Sequence, residues 1–490
     1  MDNLSLISRK KFTMDKFLSE VKIETNKEIK TVLSFEAKSI ITSKEIFGGV
    51  VSIVGKLAVN MVYLTAENEI ESAREEVDFS EKQKVSFALS DLFAKDNFEI
   101  SLAGVNFGDA LFVVSHSISV SGNYSYEFPV IADDEQNLVV KRKTFNANKW
   151  VKSVEESFVV AEECEISAND PKVLSAVSHI CYVEASPAVD KVVLEGKLFA
   201  EVMLLEENTI KNVLKEFEFR QEMALEGTIP SMNSSVETEI VNITVTPENK
   251  DNKTTLVFAV DVYAKAHTYD ETSVEVVADM FSLESQIQTT YDYARLKNYS
   301  KTIFATESVS SLTEISHIAE LEDICTVSGA DIVIKSVENY DEKIEIIAEI
   351  QADAIYETQD GMGCIKIKKE FSLNVAKDTN LSAGNVRLSA MVQNFKVKAG
   401  KELEVSFCVN YLIDLETELE EEFVKNFEIK EERTNKFSGI KVYITKEGET
   451  LFDVARIIGV RPEVISSQNQ CDDCFKQGEK IYVYSPINLM

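Results

Sequence analysis

Cys471-Asp472-Asp473-Cys474 is the stretch whose residue types and spacing come closest to reactive chemistry. Two thiols this far apart can form a reversible disulfide or supply half of a zinc site. A structural zinc needs about four ligands. No histidine follows His317, and the nearest other cysteine is Cys408. A thioredoxin-like role needs a βαβ setting that the flanks do not offer. Three readings stay open for the Cys471/Cys474 pair: loop residues, a reversible or intermolecular disulfide, or a metal shared with another chain. The histidines His116, His179, His267 and His317 stand singly in strand-like contexts and assemble no acid–base constellation. No Gly-x-Gly-x-x-Gly, phosphate loop, His-Glu-x-x-His or Gly-x-Ser-x-Gly occurs. The chain therefore reads as non-enzymatic, with no cofactor and no metal.

Charge narrows the partners. With 83 acidic and 51 basic residues the formal net charge is −32. Such a field repels phosphate backbones and anionic lipid, which argues against nucleic acid and leaves solubility or attraction to a basic protein surface. No apolar run reaches the ~18 residues of a membrane-spanning helix. The residues after Arg9, Lys10 and Lys11 are too polar for a signal peptide. The 7 dispersed cysteines fit reduced thiols inside a cell. The expected location is the cytoplasm.

The elements that must position any site are strands. A length of 490 residues implies three or four domains. Val51–Tyr63, Val192–Leu204 and Ile344–Tyr356 align on Gly55, Gly196 and Ala348. One face then carries Leu57, Leu198 and Ile350, then Val59, Ala200 and Ala352, then Tyr63, Leu204 and Tyr356. The period is two, which predicts long half-buried strands. The small residue at the shared position suggests a bend, a bulge or close backbone approach. An aromatic follows in each copy: Phe79, Phe219 and Phe371. A second group of strands follows over Ala110–Phe128, Val236–Tyr269 and Val386–Leu415, and the shared register makes these true repeats. Boundaries are expected near Asn146–Val151, Asn298–Lys301 and Glu431–Ser438. The fold class is mainly all-β, with tandem β-sandwich-like repeats over residues 1–146, 151–298 and 301–432 and a small α+β (βααβ) module over 440–486.

The repeats resemble the SPOCS domain of the SipL family of endospore-forming bacteria. The middle copy carries the likeness best, in Glu162-Glu163, Asp170-Pro171-Lys172-Val173-Leu174 and Val192–Leu205 with its Gly-Lys pair. Copy one keeps Gly55-Lys56 but lacks the Asp-Pro lead-in, and copy three has Ala348-Glu349 in place of Gly-Lys.

The last fifty or so residues resemble a LysM domain. Tyr443, Gly448-Glu449-Thr450-Leu451, Val454-Ala455, Ile458-Gly459-Val460, Asn469, Gly478 and Ile481 match its pattern. The physical layout agrees. Thr450 with Asp453 forms a capping box, and Leu451, Val454, Ala455 and Ile458 make one apolar helix face. Gly459 closes that helix and Pro462 opens the next. LysM domains hold N-acetylglucosamine-containing glycans between two loops. The resemblance points to Gly448, Glu449, Thr450 and Leu451, then Asn469 and Gln470, as groove residues. Departures are Glu449 for aspartate, the Cys471–Cys474 loop, and Tyr484 where proline is usual.

The order of β repeats and then LysM is that of the SipL family. The resemblance implies a structural protein in the mother cell, at the forespore surface, that helps encase the spore. It further implies docking to the ATPase of the coat basement layer, with the LysM module contributing. The alternative is a peptidoglycan-binding protein whose LysM holds wall glycan. A wall hydrolase needs placed acids, a nucleophile or metal ligands, which the repeats do not provide.

Overall fold

In the computed structural model, residues 3–131, 137–250, 253–398, 400–432, 439–469, 471 and 473–485 are described. Period-two alternation of β-branched and aromatic residues makes almost all of them strand. The first unit comprises β1 (Asn3–Thr13), β2 (Phe17–Glu24), β3 (Ile29–Phe47), β4 (Val50–Thr65), β5 (Ile70–Lys84), β6 (Ser90–Asn106) and β7 (Asp109–Pro129). The second comprises β8 (Leu138–Ile166), β9 (Lys172–Ala188), β10 (Lys191–Glu206), β11 (Thr209–Ala224), β12 (Asn233–Lys250) and β13 (Lys253–Ser282). The third comprises β14 (Ser285–Glu314), β15 (Leu321–Asn339), β16 (Lys343–Thr358), β17 (Gly361–Ala376), β18 (Leu381–Lys398) and β19 (Glu402–Glu432). The terminal module follows as β20 (Gly439–Ile444), α1 (Leu451–Ile458), α2 (Pro462–Asn469) and β21 (Lys480–Ser485).

Each unit is a sandwich of two antiparallel sheets. One sheet is a three-stranded meander, β3-β4-β5, β9-β10-β11 or β15-β16-β17. In the other, a long central strand (β7, β13 or β19) pairs on one side with β6, β12 or β18. On its other side it pairs with β1 and β2 in the first unit, with β8 in the second and with β14 in the third. Buried aliphatic and aromatic side chains fill the space between the sheets in every unit.

The long strands outrun their sandwiches and continue as two-stranded ribbons. The residues expected as boundaries, Asn146–Val151 and Asn298–Lys301, lie inside the unbroken strands β8 and β14. Both stretches hold a β-bulge, where the register skips Val151 and Ser300. A bulge adds local twist and bends the strand, and here it marks the passage from ribbon to sandwich. In the first unit the same side of the sheet is interrupted outright between Thr13 and Phe17. Leu6 and Phe128, Phe145 and Val274, and Leu296 and Phe423 bring the three ribbons into one core.

The meander sheets close a ring. Strand β5 meets β9, β11 meets β15, and β17 meets β3, so the last strand of each meander touches the first of the next. Leu33, Val62, Leu64 and Ile70 of the first unit, Leu174, Met203 and Ile210 of the second, and Ile355 of the third form one buried cluster. This explains one departure from the simple period. The C-terminal parts of β4, β10 and β16 are buried on both faces, because the face turned from their own sandwich packs on a neighbouring unit.

Candidate docking site

The terminal module puts two short strands against two helices. Thr450 caps α1: its hydroxyl accepts from the Asp453 N–H at 3.3 Å, and the Asp453 carboxylate accepts from the Thr450 N–H at 2.9 Å. Gly459 ends the helix at φ 85°, a left-handed conformation that glycine adopts without strain. Phe452, Val454, Ala455 and Ile458 face inward and meet Ile465, Phe475, Ile481 and Val483.

The two loops expected to line a groove lie side by side. Leu451 N–H donates to the Asp473 carbonyl at 2.9 Å, and Phe475 N–H donates to the Glu449 carbonyl at 3.0 Å. The Glu449 carboxylate accepts from the Tyr443 hydroxyl and from the Lys446 N–H, each at 2.8 Å. Gly448 sits at φ 80° with open space where a side chain would be. Gly448, Glu449, Thr450 and Leu451 are thus gathered at one end of the module. The Asn469 side chain is engaged with β21. Its amide bonds the N–H and C=O of Tyr482, at 2.7 and 2.8 Å. Gln468 does the same for Tyr484, at 2.7 and 3.0 Å. Gln470 lies outside the described residues, as does Asp472. Cys471 and Cys474 are not joined in a disulfide; the first is half-buried against the module core and the second exposed. Among the described residues no group of three or more His, Cys, Asp or Glu side chains is placed to hold a metal.

Two features went unread in the sequence. First, β20 turns Ile440, Val442 and Ile444 to solvent, at 72%, 51% and 61% exposure, beside Tyr482 and Tyr484 at 52% and 56%. The signal was present in the alternation Ile-Lys-Val-Tyr-Ile, whose inward residues are Lys441 and Tyr443. Second, the module is docked on the body. Phe452 packs edge-on against Phe281 with ring centroids 5.1 Å apart, beside Val139 and Leu283, and Arg456 pairs with Asp279.

Ionisable groups in the body hold units together. Glu237 of β12 accepts from Arg9 at 2.9 Å, from Ser121 at 2.6 Å and from His267 at 2.8 Å. Burial would raise its carboxyl, but the His267 hydrogen bond and the Arg9 charge outweigh this and hold it down at about 2. The aligned position on the three central meander strands carries Asn60, Glu201 and Asp353. Glu36, across from Asn60, joins Glu201 and Asp353 between the units. Burial, then the charges of Glu201 and Asp353, push the Glu36 carboxyl up to about 8. Burial also raises Glu201 and Asp353. A crevice of about 510 Å³ between the first two units is lined by Lys44, Asp91, Ser153, Glu155 and Lys265, and its Lys265 and Asp91 pair at 2.5 Å. His116 is fully buried, paired with Asp96 and stacked on Phe17. These groups are engaged with one another and serve packing.

Residues 28–101 and 159–248 match the family described as SipL, SPOCS domain. The first two units thus each carry a stretch similar to the SPOCS domain of the SipL family. No curated protein and no solved structure matches the chain. The SPOCS match covers β3 to β6 in the first unit and β9 to β12 in the second, with the end of β8. Both matches share the meander sheet and most of the edge strand that follows it. SipL is a structural, sporulation-related family, and the two matches point to a sporulation-related protein. Among the described residues no helix is long and apolar enough to cross a membrane.

Proposed function

We propose that this chain is a non-enzymatic scaffold of the bacterial spore envelope, held on the mother-cell side of the forespore by docking to a protein of the coat basement layer. The observation that carries the reading is the pair of SPOCS repeats in a chain whose other described parts are a further sandwich of the same strand order and one small module. The closed ring joins the three units into one body, and the terminal module, read as LysM, supplies the docking element. Exposed Ile440, Val442, Ile444, Tyr482 and Tyr484 suit a protein partner, since such apolar patches mark protein interaction sites.

The test is capture of the purified coat-basement ATPase by the full chain and by a chain cut before Gly439, with peptidoglycan co-sedimentation in parallel. The shortened chain is expected to lose the ATPase, and neither form to pellet with peptidoglycan. Capture that survives the cut would remove the module from this role. Pelleting that depends on the module would replace the reading by wall-glycan binding.

A further inference from the structure

The two edges of the module's sheet are treated differently. On β21 the outward edge is closed, because Asn469 and Gln468 take up the N–H and C=O of Tyr482 and Tyr484. Those groups therefore point away from β20. In an antiparallel ladder, residues opposite each other point their backbone groups the same way, toward or away from the partner strand. The register pairs Val442 with Tyr482 and Ile440 with Tyr484. So Ile440, Val442 and, by the period of two, Ile444 direct their N–H and C=O to the outer edge of β20. Among the described residues no strand other than β21 pairs with β20. These three residues also carry the exposed apolar side chains. Among the described residues, no proline interrupts this edge and no other strand covers it.

From this we infer that β20 is a self-association edge, on which the β20 of a second copy of this chain adds in antiparallel register about Val442. The sequence Ile440-Lys441-Val442-Tyr443-Ile444 is self-complementary in that register. Val442 lies opposite itself and Ile440 opposite Ile444 of the second copy, with their outward backbone groups matched in roughly six hydrogen bonds. On the other face Lys441 falls opposite Tyr443, so no like charges meet. Charge also selects this contact. The chain carries −32, whereas residues 439–485 hold six basic and seven acidic residues. Two copies repel through their bodies and can approach through the nearly neutral module, in a closed two-fold contact. The inference concerns the same exposed face as the docking reading, but its test uses the purified chain alone and so fails or succeeds independently of any coat protein.

Sedimentation equilibrium of the full chain at low and high salt tests it. A monomer–dimer equilibrium is expected, tighter at high salt as repulsion between the bodies is screened. Val442→Glu puts two carboxylates across the two-fold axis and should raise the dissociation constant at least about 100-fold. Val442 is exposed, so the variant is expected to fold, and an unchanged circular dichroism melt checks this. Ile457→Glu, exposed on α1 and off the sheet, should leave the constant unchanged. A wild-type chain that stays monomeric at high concentration and high salt overturns the inference. So does a dimer that Val442→Glu retains, or one that weakens with salt.

Discussion

The first two units and the third solve one packing problem with different residues. Among their register shifts, β3, β9 and β15 share one bulge at the same aligned place and another at closely aligned places. One bulge lies next to the shared small residue: the register skips Thr42 near Gly55, Cys181 near Gly196 and Lys335 beside Ala348. The other skips Leu33, Leu174 and Cys325, beside Tyr63, Leu204 and Tyr356. A bulge re-aims a side chain out of the regular alternation. In the first two units the re-aimed leucines enter the cluster between units, at 0% and 3% exposure. In the third the position holds Cys325, which is half-buried. Backbone geometry is thus shared more widely than the side chains that exploit it. The two SPOCS matches fall in the units that keep both the glycine and the leucine.

The sharpest way to break this comparison is to remove the leucine. Leu174→Ala should destabilise by about 3 kcal/mol, because the vacated space lies among Met203, Ile210, Val62 and Ile355 of all three units. Cys325→Ala should cost under about 1 kcal/mol, as less side chain is withdrawn from contact. Urea midpoints at fixed protein concentration measure both. Equal losses would mean that the third unit leans on Cys325 as the others lean on leucine.

The physical origin of this asymmetry also sets what could be read in advance. The meander strands were legible because alternation over Val51–Tyr63, Val192–Leu204 and Ile344–Tyr356 reports a local property, one buried face per strand. Phe79, Phe219 and Phe371 were visible as a recurrence, and they stand directly across from Gly55, Gly196 and Ala348. The capping box at Thr450 and Asp453 was legible for the same local reason. Ring closure was not. Burial of Leu64, Met203 and Ile355 on their second face depends on residues more than a hundred positions away. Nor does Phe452 in sequence show that Phe281 receives it. Asn469 was expected at a groove, but its amide completes the edge of β21, a choice decided by the relative placement of α2 and the strand.

The shared small position gives a second, smaller contrast. A Cβ on Gly196 would lie 2.5 Å from Phe219 Cζ and 2.6 Å from the Tyr182 carbonyl oxygen. Phe219 can swing, but the carbonyl belongs to a strand and cannot, so Gly196→Ala should cost about 2 kcal/mol. The third unit already accommodates the methyl of Ala348, which is fully buried opposite a half-buried Phe371. Ala348→Gly should therefore cost about 1 kcal/mol, from added chain entropy and a lost methyl contact. Thermal midpoints of the two variants test the pair. A stabilising Gly196→Ala would show that the close approach is not what the glycine is for.

The last contrast concerns closure of the ring itself, and it is read as a slope in pH and not as a single loss. Glu36 comes from the first unit, Glu201 from the second and Asp353 from the third, and each raises the carboxyl of Glu36 or is raised by burial beside it. With its carboxyl at about 8 in the folded chain and near the ordinary 4.5 when unfolded, Glu36 binds a proton in the native state that the unfolded chain has released. Stability must then fall as pH rises between those values, by at most about 1.4 kcal/mol per pH unit from this group. The stabilising contribution is complete below about 4.5 and gone above about 8. Glu36→Gln keeps the shape and removes the proton, so it should flatten the decline in melting temperature between pH 6 and 8 while leaving the acid limb, where Glu237 is protonated, in place. Because burial leads the shift and the Glu201 and Asp353 carboxylates of the other two units add to it, the slope reads the assembled ring as well as the local burial of Glu36. A variant with the wild-type slope would mean that the third unit stands far enough from Glu36 for solvent to screen it.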